Sequence, residues 1–305
     1  MAVLNPGRAA PPAPAPRRVL LVARDEELDS LLALRRVAAH LTELEVTGPE
    51  GAPPDVALVC DDEAAAGRLL DRGVPVVHLR SGHSTDPGAV PGGALHRVHR
   101  PGWLPGPWPA PPDGVRTTGA LAPARTARSR DRHGTLLLLS AHGTDTAEWE
   151  GFTSGPLREL AAEAVRRTGR CAVVCDRRTG AVRDALEGLP GVRVGRAADT
   201  DVDALHAGTA LLLAAPVLGA LALAQARRAP LVLLPPLGGA QRDLAGRVSR
   251  AVPLAVAEDP RDPSLWAAPP PGAPDPWSAL DPAADDLRGA QRVARTLRQL
   301  SLAPL

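Results

Sequence analysis

The 305-residue chain has no lysine, no isoleucine and no tyrosine, one phenylalanine, one methionine and three cysteines. Alanine, arginine, proline and glycine dominate instead, the usage of a very GC-rich coding sequence, so the abundance of arginine does not by itself point to nucleic acid. Charge of one sign is also lacking. The formal net charge is +1 and the arginines are interspersed with acids, which leaves no polyanion footprint and no acidic tail, and nucleic acid is excluded as an expected partner. Three cysteines cannot build a disulfide framework. Cys171 and Cys175 share one face of an apparent strand but stand about 13 Å apart at ~3.3 Å per residue, too far to bridge, so all three cysteines read as small buried hydrophobes of a reducing cytoplasm. No apolar run is long enough for a membrane span. Thr209 to Ala226 comes nearest, but Pro216 and Gly219 interrupt it and Arg227-Arg228 close it, as expected of a buried strand, turn and helix. Met1 to Pro16 is rich in Pro and Ala without the apolar core of an export signal, and reads as a disordered tail of a cytoplasmic protein.

What is present is β-α alternation, twice. Arg17 to Ala23 is an apolar run that the acidic turn Asp25-Glu26-Glu27 converts into a helix with apolar positions Leu28, Leu31, Leu32, Leu34 and Val37. Val56 to Cys60 and Val74 to Leu79 are continuous apolar strands around a helix over Glu63 to Asp71. Such uninterrupted runs predict a parallel sheet buried on both faces. Ser81 to Pro112 is rich in Gly, Pro and His and predicts a long functional loop just after a strand, where α/β sheets place ligands. Leu136 to Leu139 restarts the pattern, and Asp285 to Leu300 closes it as an amphipathic helix. The resulting division is a tail (1–16), a first α/β domain (17–121), a linker (122–134), a second α/β domain (135–284) and a terminal return helix with its tail (285–305).

The most informative stretch runs from Val192 to Gln241: strand, acidic turn, short helix, second strand, glycine-bearing turn, apolar helix, and a third strand ending at Pro235-Pro236. With two α/β halves, a linker and a terminal helix around it, the chain resembles glycosyltransferases of the GT-B fold. Within that group it is similar to actinobacterial proteins related to cytosylglucuronic acid synthase. The resemblance implies two Rossmann-like domains facing a cleft, a nucleotide sugar as donor substrate, no other cofactor and no metal.

In such enzymes the turn at Gly219 is followed by Thr-x-x-Glu-Ala and, some residues later, Gly-Val-Pro. Here Gly219 and Pro230 keep their spacing, but Ala220 and Leu223 replace the threonine used near phosphate and the glutamate used on ribose. The helix N-terminus at Gly219 still offers unpaired N–H groups to a diphosphate, although Pro216 and Val217 stand where relatives have glycines. The family's Asp-Gln pair becomes Ala240-Gln241, leaving Gln241 for the donor sugar. Arg196 could lie flat on the nucleobase. Ser140 and His142, directly after a strand, suit phosphate contacts. Arg24-Asp25-Glu26 occupies the place of the usual acceptor-activating histidine, so the base falls to His83 or Asp86 in the following loop. His78 reads as a core residue, and His96 and His99 have no acidic partners at metal-binding spacing. Two functions are compatible with this pattern: a metal-independent glycosyltransferase acting on a small acceptor in specialised metabolism, or a degenerate glycosyltransferase-like protein serving as a binding or partner subunit. Several lost charge-assisted hydrogen bonds, each worth about 1.5–3 kcal/mol, would separate the two. The lack of Gly-x-Gly-x-x-Gly after either first strand excludes a dinucleotide enzyme.

Overall fold

The computed structural model describes residues 16–48, 50–84, 93–102, 114–266, 275–281 and 285–302. In the first half β1 (Arg18–Ala23) leads into α1 (Leu28–Ala38), and β2 (Glu45–Thr47), β3 (Val56–Cys60), α2 (Glu63–Asp71), β4 (Val76–Leu79), β5 (His96–Arg100) and β6 (Val115–Thr117) follow. The strands form one parallel sheet in the order β2-β1-β3-β4-β5-β6. Every residue of β3 and β4 is buried, as continuous apolar strands covered on both faces require. The loop expected over Ser81 to Pro112 is interrupted by β5. HRVHR shows no apolar run, so its strand character was hidden; pairing with β4 and β6 makes it a strand, and His96, Val98 and His99 are buried there.

The second half contains β7 (Thr135–Leu139), α3 (Thr146–Thr153), α4 (Pro156–Thr168), β8 (Cys171–Cys175), α5 (Thr179–Ala185), β9 (Val192–Arg196), α6 (Val202–Ala207), β10 (Leu211–Ala214), α7 (Leu218–Ala226), β11 (Leu231–Leu233), α8 (Gly239–Ala251) and β12 (Ala255–Val256). Its parallel sheet has the order β12-β11-β10-β7-β8-β9, the doubly wound order of a Rossmann domain. The chain then returns: α9 (Gly289–Ser301) buries Ala290, Val293, Ala294 and Leu297 against Val19, Leu58 and Val77 of the first sheet. Apolar positions at i, i+3, i+4 and i+7 explain why this helix has one buried stripe.

The two halves share a core. Leu28, Leu31 and Leu32 of α1 pack with Leu218, Leu221 and Leu223 of α7 in a single cluster that also takes in Leu136, Leu212 and Trp277. Arg36 is buried in the same contact: it donates from Nε and Nη2 to both carboxylate oxygens of Asp203 (3.0 and 2.7 Å), and from Nη1 to the carbonyls of Leu121 (2.8 Å) and Gly219 (3.0 Å). Four hydrogen bonds satisfy the guanidinium and fix α1 against α6 and α7. Among the described residues no helix is long and apolar enough to cross a membrane, and the three cysteines are buried and free.

Candidate functional site: a cleft between two switch points

In a doubly wound sheet the crevice opens where strand order reverses. The reversal lies between β1 and β3 in the first half and between β7 and β10 in the second. Both open into one cavity of ≈ 460 Å³, lined from the first half by Arg24, Glu27, Asp29, Asp61, His78 and His83, and from the second by Ser140, His142, Pro216, Val217, Ala240 and Gln241.

At each switch point a helix begins, and its first N–H groups need acceptors. The sequence supplies them across the interface. Asp29, on α1, accepts from the N–H of Gly219 (2.6 Å) and of Leu218 (3.2 Å) at the start of α7. Asp176, just after β8, accepts from the N–H of Leu28 (3.3 Å) at the start of α1, and also from Ser140 Oγ (2.8 Å) and the N–H groups of Ala141 (2.8 Å) and Arg177 (2.7 Å). A carboxylate of each half thus caps a helix of the other.

This geometry accounts for Gly219. A Cβ there would lie 2.6 Å from Leu32 Cδ1 and 2.9 Å from Asp29 Oδ1, so glycine permits the close approach of α1 to α7 and of the Asp29 carboxylate to the helix end. The other residues singled out from the sequence are placed as follows. Ser140 donates to Asp176, and its carbonyl accepts from Gln241 Nε2 (3.0 Å), while Gln241 Oε1 accepts from the N–H of Leu237 (3.0 Å); both side-chain ends of Gln241 are therefore engaged within the second half. His142 Nε2 stands 3.7 Å from Glu27. Arg196, at the end of β9, is half-exposed and 3.8 Å from Asp25. His83 is brought against α8, its Nε2 2.6 Å from Asp243 Oδ2, which also accepts from Arg247 Nε (2.7 Å). Asp86 lies outside the described residues.

The electrostatics of the cavity are set by burial. Desolvation, reinforced by Asp61 and Asp29, pushes the Glu27 carboxyl up to about 8. Burial also raises Asp29 to about 7 against the two backbone hydrogen bonds that favour its charge, and raises Asp61 despite its bonds to Ser81. Opposing groups are weak. Burial lowers His78 to about 4 and holds His83 and His142 below the usual imidazole range. Burial lowers His83 although its hydrogen bond to Asp243 favours the charged form. Among the described residues no three His, Cys, Asp or Glu side chains converge in a metal-binding group.

Glu27, Asp29, Asp61, Asp176 and Asp243 were not picked out as site residues from the sequence. The available signal was the acidic turn Asp25-Glu26-Glu27 where relatives carry a glycine-rich turn; it reads equally well as an ordinary helix start, and only the meeting of the halves shows what Asp29 faces.

Two doubly wound halves, a shared cleft and a terminal helix that returns to the first half define the GT-B type of α/β protein. The chain belongs to the family described as CGA synthase-related protein, whose model matches residues 19–305. No curated protein matches it. Solved structures similar over nearly their whole length include spinosyn rhamnosyltransferase SpnG (17% identity, 94% of this chain and 96% of that one, TM-score 0.46), LpCGTa in complex with UDP (12%, 95% and 100%, 0.49) and glycosyltransferase VinC in complex with dTDP (14%, 93% and 98%, 0.48).

Proposed function

We propose that this chain is a glycosyltransferase-like binding or partner subunit that does not use a nucleoside diphosphate sugar as donor. The observation that carries the reading is the Asp29 carboxylate seated on the N–H groups of Leu218 and Gly219, where a diphosphate would otherwise bind. A helix N-terminus attracts an anion by only about 0.3–2 kcal/mol. A phosphate oxygen about 4 Å from an ionised Asp29 carboxylate is repelled by roughly 4 kcal/mol at an effective dielectric constant of ~20, more than the helix end attracts, and in either charge state the Asp29 oxygens occupy the two N–H groups that a phosphate would need. Ala220, Leu223 and Ala240 add no compensating polar contact, and Gln241 is already engaged.

Calorimetric titration of the full chain with nucleoside diphosphates and nucleotide sugars tests this. We expect no saturable heat at millimolar ligand; a micromolar dissociation constant for any of them would overturn it. The His83–Asp243 pair supports a second reading, a metal-independent transferase acting on a small acceptor, in which His83 takes the acceptor proton and Asp29 withdraws to admit the donor to Ser140, His142, Arg196, Gly219 and Gln241. Sugar release from a nucleotide donor that disappears in His83→Ala while nucleotide binding persists would establish that reading instead.

A further inference from the structure

We propose that the turn between β1 and α1 is an autoinhibitory contact: the acids Asp25, Glu26, Glu27 and Asp29 of the first half fill the crevice of the second half in the manner of a bound polyanion. The inference rests on the reading that the cleft does not receive a nucleoside diphosphate, and extends it from Asp29 alone to the whole turn.

The crevice of a doubly wound sheet lies outside the carboxyl ends of its strands, around the switch point. In the second half those ends follow the order β10-β7-β8-β9. Each meets one acid of the turn. Asp25 faces Arg196, the last residue of β9 (3.8 Å), and Glu26 pairs with Arg177, just after β8 (2.9 Å). Glu27 faces His142, after β7 (3.7 Å), and Asp29 accepts from the N–H groups of Leu218 and Gly219, after β10. Along the chain the acids therefore cross the sheet in spatial order, from β9 to β10. Scattered surface ion pairs have no such register, and four carboxyls matched to four adjacent strand ends make a built contact.

Backbone hydrogen bonds hold the turn in that position. The N–H of Glu27 donates to the carbonyl of Arg24 (3.2 Å), the N–H of Arg24 to Ser30 Oγ (3.0 Å) and the N–H of Leu28 to Asp176 of the second half (3.3 Å). Arg35, further along α1, donates to the carbonyls of Ala198 and Thr200 beyond β9. A guanidinium suits phosphate as well as carboxylate, so the acids facing Arg177 and Arg196 withhold both from an incoming anion. Asp29 is buried, whereas the side chains of Asp25 and Glu26 are exposed. The contact thus has a permanent part at α7 and a part at β8 and β9 that substitution can remove without disturbing the core.

The probe is inorganic pyrophosphate, titrated calorimetrically into the full chain at low ionic strength. We expect Asp25→Asn/Glu26→Gln to bind it at least tenfold more tightly than the unaltered chain, and addition of Asp29→Asn to tighten it again. Replacing Arg177 and Arg196 by alanine in the double variant should abolish the gain. Asp184→Asn/Glu187→Gln, which removes two exposed acids at the end of α5, controls for net charge and should bind no more tightly than the unaltered chain. If the triple variant is poorly folded by circular dichroism, the double variant, altered only at exposed positions, still decides. No gain in the double variant, an equal gain in the charge control, or a gain that survives loss of both arginines would overturn the inference. Micromolar binding of a nucleoside diphosphate by the unaltered chain would sink the proposed function, while the comparison of variants would still decide whether the turn opposes anion binding.

Discussion

The carboxyl cluster at the interface makes stability depend on pH in a direction opposite to that of most paired carboxylates. Glu27 is raised from 4.5 to about 8 and Asp29 from 3.8 to about 7. A carboxyl with a raised pKa holds its proton better when folded, so its contribution is fully present below the unfolded value and is lost as pH rises through the folded one. Buried histidines act in the other direction: His78, His99 and His206 are lowered to about 4, 4 and 3, so their contribution grows with pH until the unfolded value of 6.5 and is flat above it. Above pH 7 the histidines are flat and the carboxyls set most of the slope, with a smaller contribution of the same sign towards pH 8.5 from the thiols of Cys60, Cys171 and Cys175, which burial also raises. Integrating the linkage relation between pH 7 and 8.5 gives a loss on the order of 1–2 kcal/mol for Glu27 and Asp29 together, most of it from Glu27. Urea unfolding at pH 7, 7.5, 8 and 8.5 measures this, and Glu27→Gln should remove most of the slope. Stability that is flat or rising over this interval, or a slope unchanged in Glu27→Gln, would refute the assignment of buried protonated carboxyls to the interface.

Three further outcomes follow from the same packing. Arg36→Met leaves Asp203 without its bidentate partner and frees the carbonyls of Leu121 and Gly219, so a loss of about 3–5 kcal/mol is expected in chemical denaturation. Gly219→Ala places a Cβ against Leu32 and Asp29 and should cost about 1–3 kcal/mol, whereas Gly180→Ala, with open space around its Cβ, should be neutral or stabilising. Trp149→Ala empties a fully buried position between α3 and its neighbours and should lower stability by about 3–5 kcal/mol, read as a fall in melting temperature.

The β-α alternation was legible because its central strands are continuous apolar runs: VALVC, VVHL and TLLLL are buried throughout, and no other element type explains short apolar segments spaced by helices. Strand β5 was not, because HRVHR satisfies its burial through a hydrogen-bonded position between two strands and not through hydropathy. Of Gly219, Pro230 and Gln241, whose spacing marked the segment, Gln241 lines the cleft. Its chemistry was hidden for a different reason. Asp29 and Gly219 are 190 residues apart, and nothing local in either segment marks an acid on the first helix as the cap of the seventh. Gln241 likewise looked available, and only the three-dimensional arrangement shows both ends of its amide used by Leu237 and Ser140.

On the proposed reading, the apolar residues at positions 220 and 223 and the Asp29 cap fit one another. A buried helix end cannot leave its N–H groups unpaired; each would forfeit about 1–3 kcal/mol, and in an ordinary donor site water or the ligand supplies the acceptors. Once Asp29 supplies them in every molecule, a threonine at position 220 or a glutamate at 223 has no ligand to hold, and on a helix that is buried from Leu218 to Ala224 each would carry an unsatisfied polar group into the shared core. Alanine and leucine at those positions instead bury apolar surface, worth about 1.5–3 kcal/mol for a leucine, against α1 and the second sheet. The order of cause can be tested by restoring only one side. Leu223→Glu alone should destabilise the fold by several kcal/mol without conferring nucleotide binding, because Asp29 still covers the helix end; nucleotide binding by that single variant would show that the cap is readily displaced and that the transferase reading is the better one.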